Sequence, residues 1–254
     1  MTTGLGEFFE AIDAPRKRLL FVNRASSEAV HELLESIVGD GAVPVDELRL
    51  PAADGELVVL VGDGEVRAAS TVEELLQSVL LVNSDVYKTG ARPLAEASMP
   101  AVLDGLDEVP FRVRGYPASD KEKLLLIAMS RLIERTAADA DGGTLRASFQ
   151  RLSRLRDERG TERVYRTIGD GGTDVHVYGV DDWTPPSAFP VTVHTGDSEE
   201  YRRSWFVVFT PAAGSDADPA ALVALEAEPN RWDGFWTYRP ALVDRIDRYI
   251  ETEL

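Results

Sequence analysis

His176 and His194 each stand in a short alternating stretch, where Val175 and Val177 oppose His176 and Tyr178, and Val191 and Val193 oppose Thr192 and His194. If these stretches are neighbouring strands, the two imidazoles meet across a sheet. There they could hold a metal, exchange a proton, or face a polar layer with no chemistry at all. Glu226 shares a strand face with Leu222 and Glu228, so it is an acid–base carboxylate, the buried partner of an arginine, or a side chain where the sheet reaches solvent. His31-Glu32-Leu33-Leu34-Glu35 begins like a helical zinc-protease motif, but Glu35 occupies the place of the second histidine, which leaves a solvated helix face as the simpler reading. The chain has no cysteine, which excludes disulfides, thiol nucleophiles and thiolate-ligated zinc. It also lacks the phosphate-loop, dinucleotide-fingerprint and nucleophile-elbow motifs.

Between Arg131 and Arg166 the sequence carries nine arginines against six acids, a local balance of +3 in a chain of net charge −17. The planar fork of arginine suits carboxylate and phosphate, so an anionic ligand or an acidic partner would dock here. The alternative is a set of helix-surface arginines paired at i, i+4 with the interleaved acids. Arg146 and Arg151, which flank Ser148 and Gln150, are the least committed to such pairs. A second candidate is the corner from Asn230 to Trp236, where Trp232 and Trp236 would stack on a planar ligand while Asn230, Arg231 and Asp233 fix its orientation. The same tryptophans could instead only close the end of the core, with Asp233-Gly234 forming a turn.

The overall charge argues against nucleic-acid binding, because a polyanion is repelled unless a local basic patch overrides the field. Only four residues are lysine (Lys17, Lys88, Lys121 and Lys123) and 23 are arginine, while acids crowd the expected loops. This composition resembles that of salt-adapted haloarchaeal proteins, whose carboxylate surface keeps them hydrated. In molar salt the Debye length falls to about 3 Å, which removes much of the self-repulsion. With no basic, apolar leader at Met1 to Glu10 and no long apolar run, the expectation is a soluble, cytoplasmic protein without a membrane partner.

Positioning these groups requires a mixed α/β (α+β) architecture. Leu5 to Ile12 reads as a helix, Arg18 to Val22 as a strand, and Ser26 starts a helix with Val30, Leu33, Leu34 and Ile37 inward. Leu57 to Val61 and Glu65 to Ala69 flank Gly62-Asp63-Gly64, a hairpin signal, and Ser70 or Thr71 caps the next helix. Asn83 to Gly90 is a polar break, and an internal seam is expected near residues 92–108 of an otherwise single domain. A helix near Ala101 to Leu106 and a strand at Phe111 to Arg114 precede a long helix, whose capping box is Ser119 to Glu122 and whose inner face is Leu125, Met129, Leu132, Ile133 and Thr136. Leu145, Phe149, Leu152 and Leu155 predict a second amphipathic helix, and Thr161 the cap of a third. The late chain is strand-rich: Ser204 to Thr210 and Ala221 to Ala227 form an antiparallel pair about the turn Pro211 to Pro219, and Pro240 opens a terminal helix. The fold class is therefore a mixed sheet with antiparallel C-terminal strands covered by helices.

Taken in order, Thr144 to Arg154, Asp174-Val-His-Val-Tyr-Gly179, Ser204-Trp-Phe-Val-Val-Phe209 and Glu228 to Tyr238 resemble the haloarchaeal branch of the DICT sensory domains. Phe8-Phe9-Glu-Ala-Ile12 and Arg18-Leu-Leu-Phe-Val22 are similar to the opening of that family. The resemblance implies a stand-alone sensory module and not an enzyme, with any output, such as a kinase or regulator, supplied in trans. It identifies no cofactor. The expected site lies between arginine-bearing helices and the C-terminal sheet: Arg146 and Arg151 for an anion, His176 and Tyr178 for polar contacts, Trp232 and Trp236 as a wall. An interaction scaffold without a pocket, and an enzyme using Glu226 and His176, stand as the alternatives.

Overall fold

Alternation along the late chain builds a seven-stranded sheet, because strands with apolar residues on both sides need neighbours and two covering layers. The computed structural model describes residues 4–12, 17–24, 43–51, 55–80, 93–114 and 122–254. The expected helix from Ser26, the His31 motif, the Asn83 to Gly90 break and the first residues of the Ser119 capping box lie outside the described residues.

The seven strands are β5 (Phe111–Arg114), β6 (Gly143–Arg151), β7 (Asp174–Val180), β8 (Thr192–Thr195), β9 (Ser204–Pro211), β10 (Ala220–Glu228) and β11 (Arg231–Thr237), in the spatial order β5-β11-β10-β9-β6-β7-β8. Pairing from β5 to β6 is antiparallel, and β6, β7 and β8 are parallel. A smaller mixed sheet joins β1 (Lys17–Val22), β2 (Val45–Leu48), β3 (Leu57–Gly62) and β4 (Glu65–Thr71) in the order β2-β1-β3-β4. Its β3–β4 hairpin turns at Asp63 and Gly64, both at positive φ, as the sequence predicts. Thr71 and Glu74 complete the expected capping box, with Glu74 N donating to Thr71 Oγ1 and Thr71 N to Glu74 Oε2. The helix they cap, α1 (Val72–Leu75), passes at once into a π-helical turn, Leu76–Leu80.

The remaining described helices are α2 (Ala101–Asp104), α3 (Glu122–Asp139), α4 (Ser153–Asp157), α5 (Arg159–Asp170), α6 (Glu199–Arg203) and α7 (Pro240–Glu253), with 3-10 turns at Leu5–Ala11 and Leu94–Glu96. One face of the large sheet presents Leu145, Ala147, Val207, Leu222, Trp232 and Trp236 to α3 and α5, in a hydrophobic cluster that also takes in Leu19, Phe21, Val58 and Leu60 of the small sheet. The other face presents Tyr178, Phe206, Val208, Val223 and Phe235 to Leu5, Phe8 and the inward stripe Leu242, Val243, Ile246 and Ile250 of α7.

Two sequence expectations are corrected. Residues 143–151 form the central strand β6, not a helix, so Arg146 and Arg151 are strand residues; Leu145, Phe149 and Leu152 happen to fall at helical spacing. Thr161 lies inside α5, where its buried hydroxyl donates to Glu158 and accepts from Arg131, so it is not a cap.

Candidate functional site

Side-chain parity on the sheet decides which of the expected site residues meet. Cross-strand partners share a face, and the register Trp236–Leu222–Val207–Ala147 puts Trp232 and Trp236 on the side of α3. Arg146 stands opposite Val208 and beside His176, which puts it on the side of α7 with Tyr178. The sheet itself thus separates Arg146, His176 and Tyr178 from the two tryptophans. Arg146 is 5% exposed; its Nε donates to Asp247 of α7 at 2.8 Å and its Nη1 to the Tyr178 hydroxyl at 3.1 Å, with Glu251 a further 3.4 Å contact. Trp236 packs at a tilt on Phe111, with its Nε1 donating to the Asp104 carbonyl. Both residues have local structural partners.

The histidines do meet. His176 Nδ1 and His194 Nε2 are 2.9 Å apart, His176 Nε2 is 3.0 Å from Asp174, and the His194 ring stacks on Tyr178 at 4.4 Å. Among the described residues no group of three or more His, Asp or Glu side chains has metal-holding geometry.

Arg151 and Trp232 are brought together, at the end of the sheet where β6, β7 and β10 finish. A pocket of about 280 Å³ there is lined by Gln150, Arg151, Arg154, Val180, Arg202, Glu226, Asn230 and Trp232. Local irregularities build it. Gln150 has φ 58, a left-handed conformation rare outside glycine, and the β6–β7 register slips between Ser148 and Arg151 so that Arg151 stands opposite Val180. The chain then turns directly into α4, whose Ser153 donates from N and Oγ to the Asp182 carboxylate at 2.9 and 2.7 Å. Burial works against that carboxylate's charge, yet the Ser153 hydrogen bonds and the neighbouring Arg151 hold it below the ordinary value. On the opposite wall β10 carries an irregularity between Glu226 and Glu228, Asn230 takes φ 62, and Glu226 Oε1 accepts from Asn230 N at 2.8 Å. Trp232 is 2% exposed and meets Trp205 edge-to-face at 6.1 Å; among the described residues its Nε1 has no hydrogen-bond partner.

Of the polar side chains in the lining, Arg202 and Glu226 are hydrogen-bonded, to the Asp197 carbonyl and the Asn230 N–H. Among the described residues neither Arg151 nor Arg154 has a carboxylate within ion-pair distance, and the carboxamides of Gln150 and Asn230 make no hydrogen bond; Gln150 is nevertheless 8% exposed. Burial lowers the Arg154 pKa below the ordinary arginine value and Arg151 adds to this, while Glu158, Glu226 and Asp182 pull it up. The guanidinium stays charged at any physiological pH. Elsewhere in the arginine-rich stretch Arg135 with Asp139 and Arg166 with Glu162 pair at i, i+4 as the local alternative has it, Arg156 pairs with the adjacent Asp157, and Arg131 pairs with Glu134 in the interior. Larger hollows lie beside Leu132–Asp141 and beside Leu5–Phe9, about 690 and 420 Å³, but their arginines, Arg135 and Arg203, are already paired with acids.

Sequence reasoning missed Arg202 and Gln150 as pocket residues, and held Arg154 only as one of the nine arginines of its stretch. For Gln150 no residue-type signal existed, since glutamine is not a habitual left-handed residue. Asn230 carried one, as an amide in a tight turn.

Residues 102–226 match the DICT family, the Sensory domain in DIguanylate Cyclases and Two-component system. The DICT match runs from α2 to Glu226, taking in the arginine wall of the pocket and ending four residues before Asn230. It makes this stretch similar to a sensory domain of signalling proteins. No curated protein matches the chain. Among the described residues no helix is long and apolar enough to cross a membrane.

Proposed function

We propose that the chain acts as a single, non-catalytic DICT-like sensory unit, of the haloarchaeal stand-alone type, which binds a small-molecule signal in the Arg151–Arg154–Trp232 pocket. The observation that carries this reading is the set of unengaged polar side chains converging on a hollow whose arginine wall lies within the DICT match. The pocket joins β6 and α4 on one side to β10 and β11 on the other, so a ligand that prefers one packing of these walls shifts the population toward it. A cytoplasmic partner such as a kinase or regulator would read that shift in trans. The −17 charge fits an output partner that is not a nucleic acid.

A thermal-shift screen in molar KCl, against nucleotides, cyclic dinucleotides, tetrapyrroles and small anionic metabolites, tests the reading. A ligand at 100 times its Kd adds about 2.7 kcal/mol of stability. Saturable stabilisation that is lost in Arg154→Gln supports it. Silence across the screen, or turnover of a ligand that Glu226→Gln abolishes with the fold intact, overturns it.

A further inference from the structure

The charge and size of the pocket narrow its ligand, on the premise that this pocket is the signal site. The lining holds Arg151, Arg154 and Arg202 against one carboxylate, Glu226, a balance of +2 within a chain of −17, while Asp182 and Glu158 act on the arginines from outside it. Arg202 is held from outside by the Asp197 carbonyl at 2.8 Å, while Arg151 and Arg154 have no such anchor among the described residues. Two like charges brought together beside buried apolar surface favour an anion between them, and guanidinium forks suit an oxyanion with several acceptor oxygens. The carboxylate selects a second group. With Oε1 taken by the Asn230 backbone, Glu226 can accept from a ligand hydroxyl or amine, and the Asn230 and Gln150 carboxamides can serve the same group. A volume of about 280 Å³ sits just below the ~300–1,000 Å³ range of drug-sized sites, which restricts the occupant to a small metabolite. Gln150 and Trp232 lie below the surface, at 8% and 2% exposure, so an acidic protein segment does not complement the pocket's depth.

We propose that the pocket recognises a small phosphate monoester, its dianionic phosphoryl group on the three arginines and a hydroxyl or amine of the same molecule on Glu226.

Calorimetry at fixed ionic strength, with ribose 5-phosphate, inorganic phosphate, ribose, lactate and polyglutamate as titrants, tests it. The expected result is saturable 1:1 binding of ribose 5-phosphate, inorganic phosphate at least ~10-fold weaker, and no binding of ribose or lactate, since a bidentate charge-assisted contact and a hydroxyl hydrogen bond are each worth such a factor. Arg154→Gln, and Arg151→Gln at its exposed position, each lower the affinity at least ~10-fold, while Arg156→Gln, which alters the same helix outside the pocket, leaves it unchanged. Glu226→Gln removes a repulsion, so inorganic phosphate binds more tightly and the advantage of the ester shrinks. Absence of saturable binding by either phosphate, equal losses in Arg156→Gln, or polyglutamate binding as tightly as the ester overturns the proposal. If another class of compound stabilises the protein through Arg154, the sensory reading stands and the phosphate assignment fails. If the ester binds and alters neither the packing nor any partner, the assignment stands and the sensory reading fails.

Discussion

His176 Nδ1 and His194 Nε2 lie 2.9 Å apart on parallel strands β7 and β8, a separation that needs one hydrogen between them and excludes two. The neutral arrangement that satisfies every partner has His176 Nε2–H donating to Asp174 and His194 Nε2–H donating to His176 Nδ1. Burial lowers the His194 pKa first, the charges of His176 and Arg146 lower it further, and Asp174 opposes them. Tyr178 on β7 stacks on His194, and Arg146 on β6, which bonds the Tyr178 hydroxyl, is itself held by Asp247 and Glu251 of α7.

The folded chain therefore binds a proton on His194 less readily than the unfolded chain does. Stability is full above the ordinary imidazole value of 6.5 and falls as pH drops below it through the depressed folded value. Urea melts between pH 7.5 and 5 should show that slope, and His194→Gln should flatten it; an unchanged slope in the variant would remove His194 as its source.

Glu134 is buried against Arg131, and accepts from the Tyr165 hydroxyl at 2.9 Å. Removing the carboxylate strands a buried guanidinium, so Glu134→Leu is expected to cost about 3–5 kcal/mol. Arg131→Met in the same chain should recover most of that loss, because an apolar pair of similar volume replaces the ions. A double variant as unstable as the sum of the single ones would show the two residues to be independent.

Arg146 and Asp247 tie α7 to the centre of the sheet at 2.8 Å. Burial raises the Asp247 pKa while Arg146 pulls it back. Asp247→Ala should destabilise the protein by about 1–3 kcal/mol. Hydrogen exchange should then accelerate in residues 240–253 before it does in β9 or β10.

Gly234 faces Phe111 across the β5–β11 pairing, where an added Cβ would meet the ring at 2.5 Å and the Ala224 Cβ at 2.9 Å. Gly234→Ala should cost about 1–3 kcal/mol by overpacking. Phe111→Leu in the Gly234→Ala background should relieve part of it, as read from chemical melts.

Strands β7, β9 and β10, the β3–β4 hairpin and helix α7 were legible because their periodicity is carried by large apolar residues at one spacing. Strand β6 was not. Leu145, Ala147 and Phe149 do alternate with Arg146, Ser148 and Gln150, but an interior strand buries both rows, and the polar row is made tolerable by partners far along the chain. Asp247, which neutralises Arg146, is 101 residues away. Arg146 therefore looked uncommitted for the same reason that β6 looked helical: its pairing is tertiary. The association of Arg151 with Trp232 was legible in residue type, while the separation of Trp236 from Arg146 depends on strand parity, which no short stretch contains.

Gln150 carries a consequence for where the protein keeps its charge. Side chains alternate along a strand, so with residue 150 extended Arg151 would follow Leu145, Ala147 and Phe149 toward the core, and Val180 would face Gln150 instead. One left-handed residue reverses that assignment and hands a cation to the rim of the sheet. The site is thus written in a backbone angle before it is written in side chains, and a β-branched residue at 150, which resists that angle, would silence the arginine without altering it.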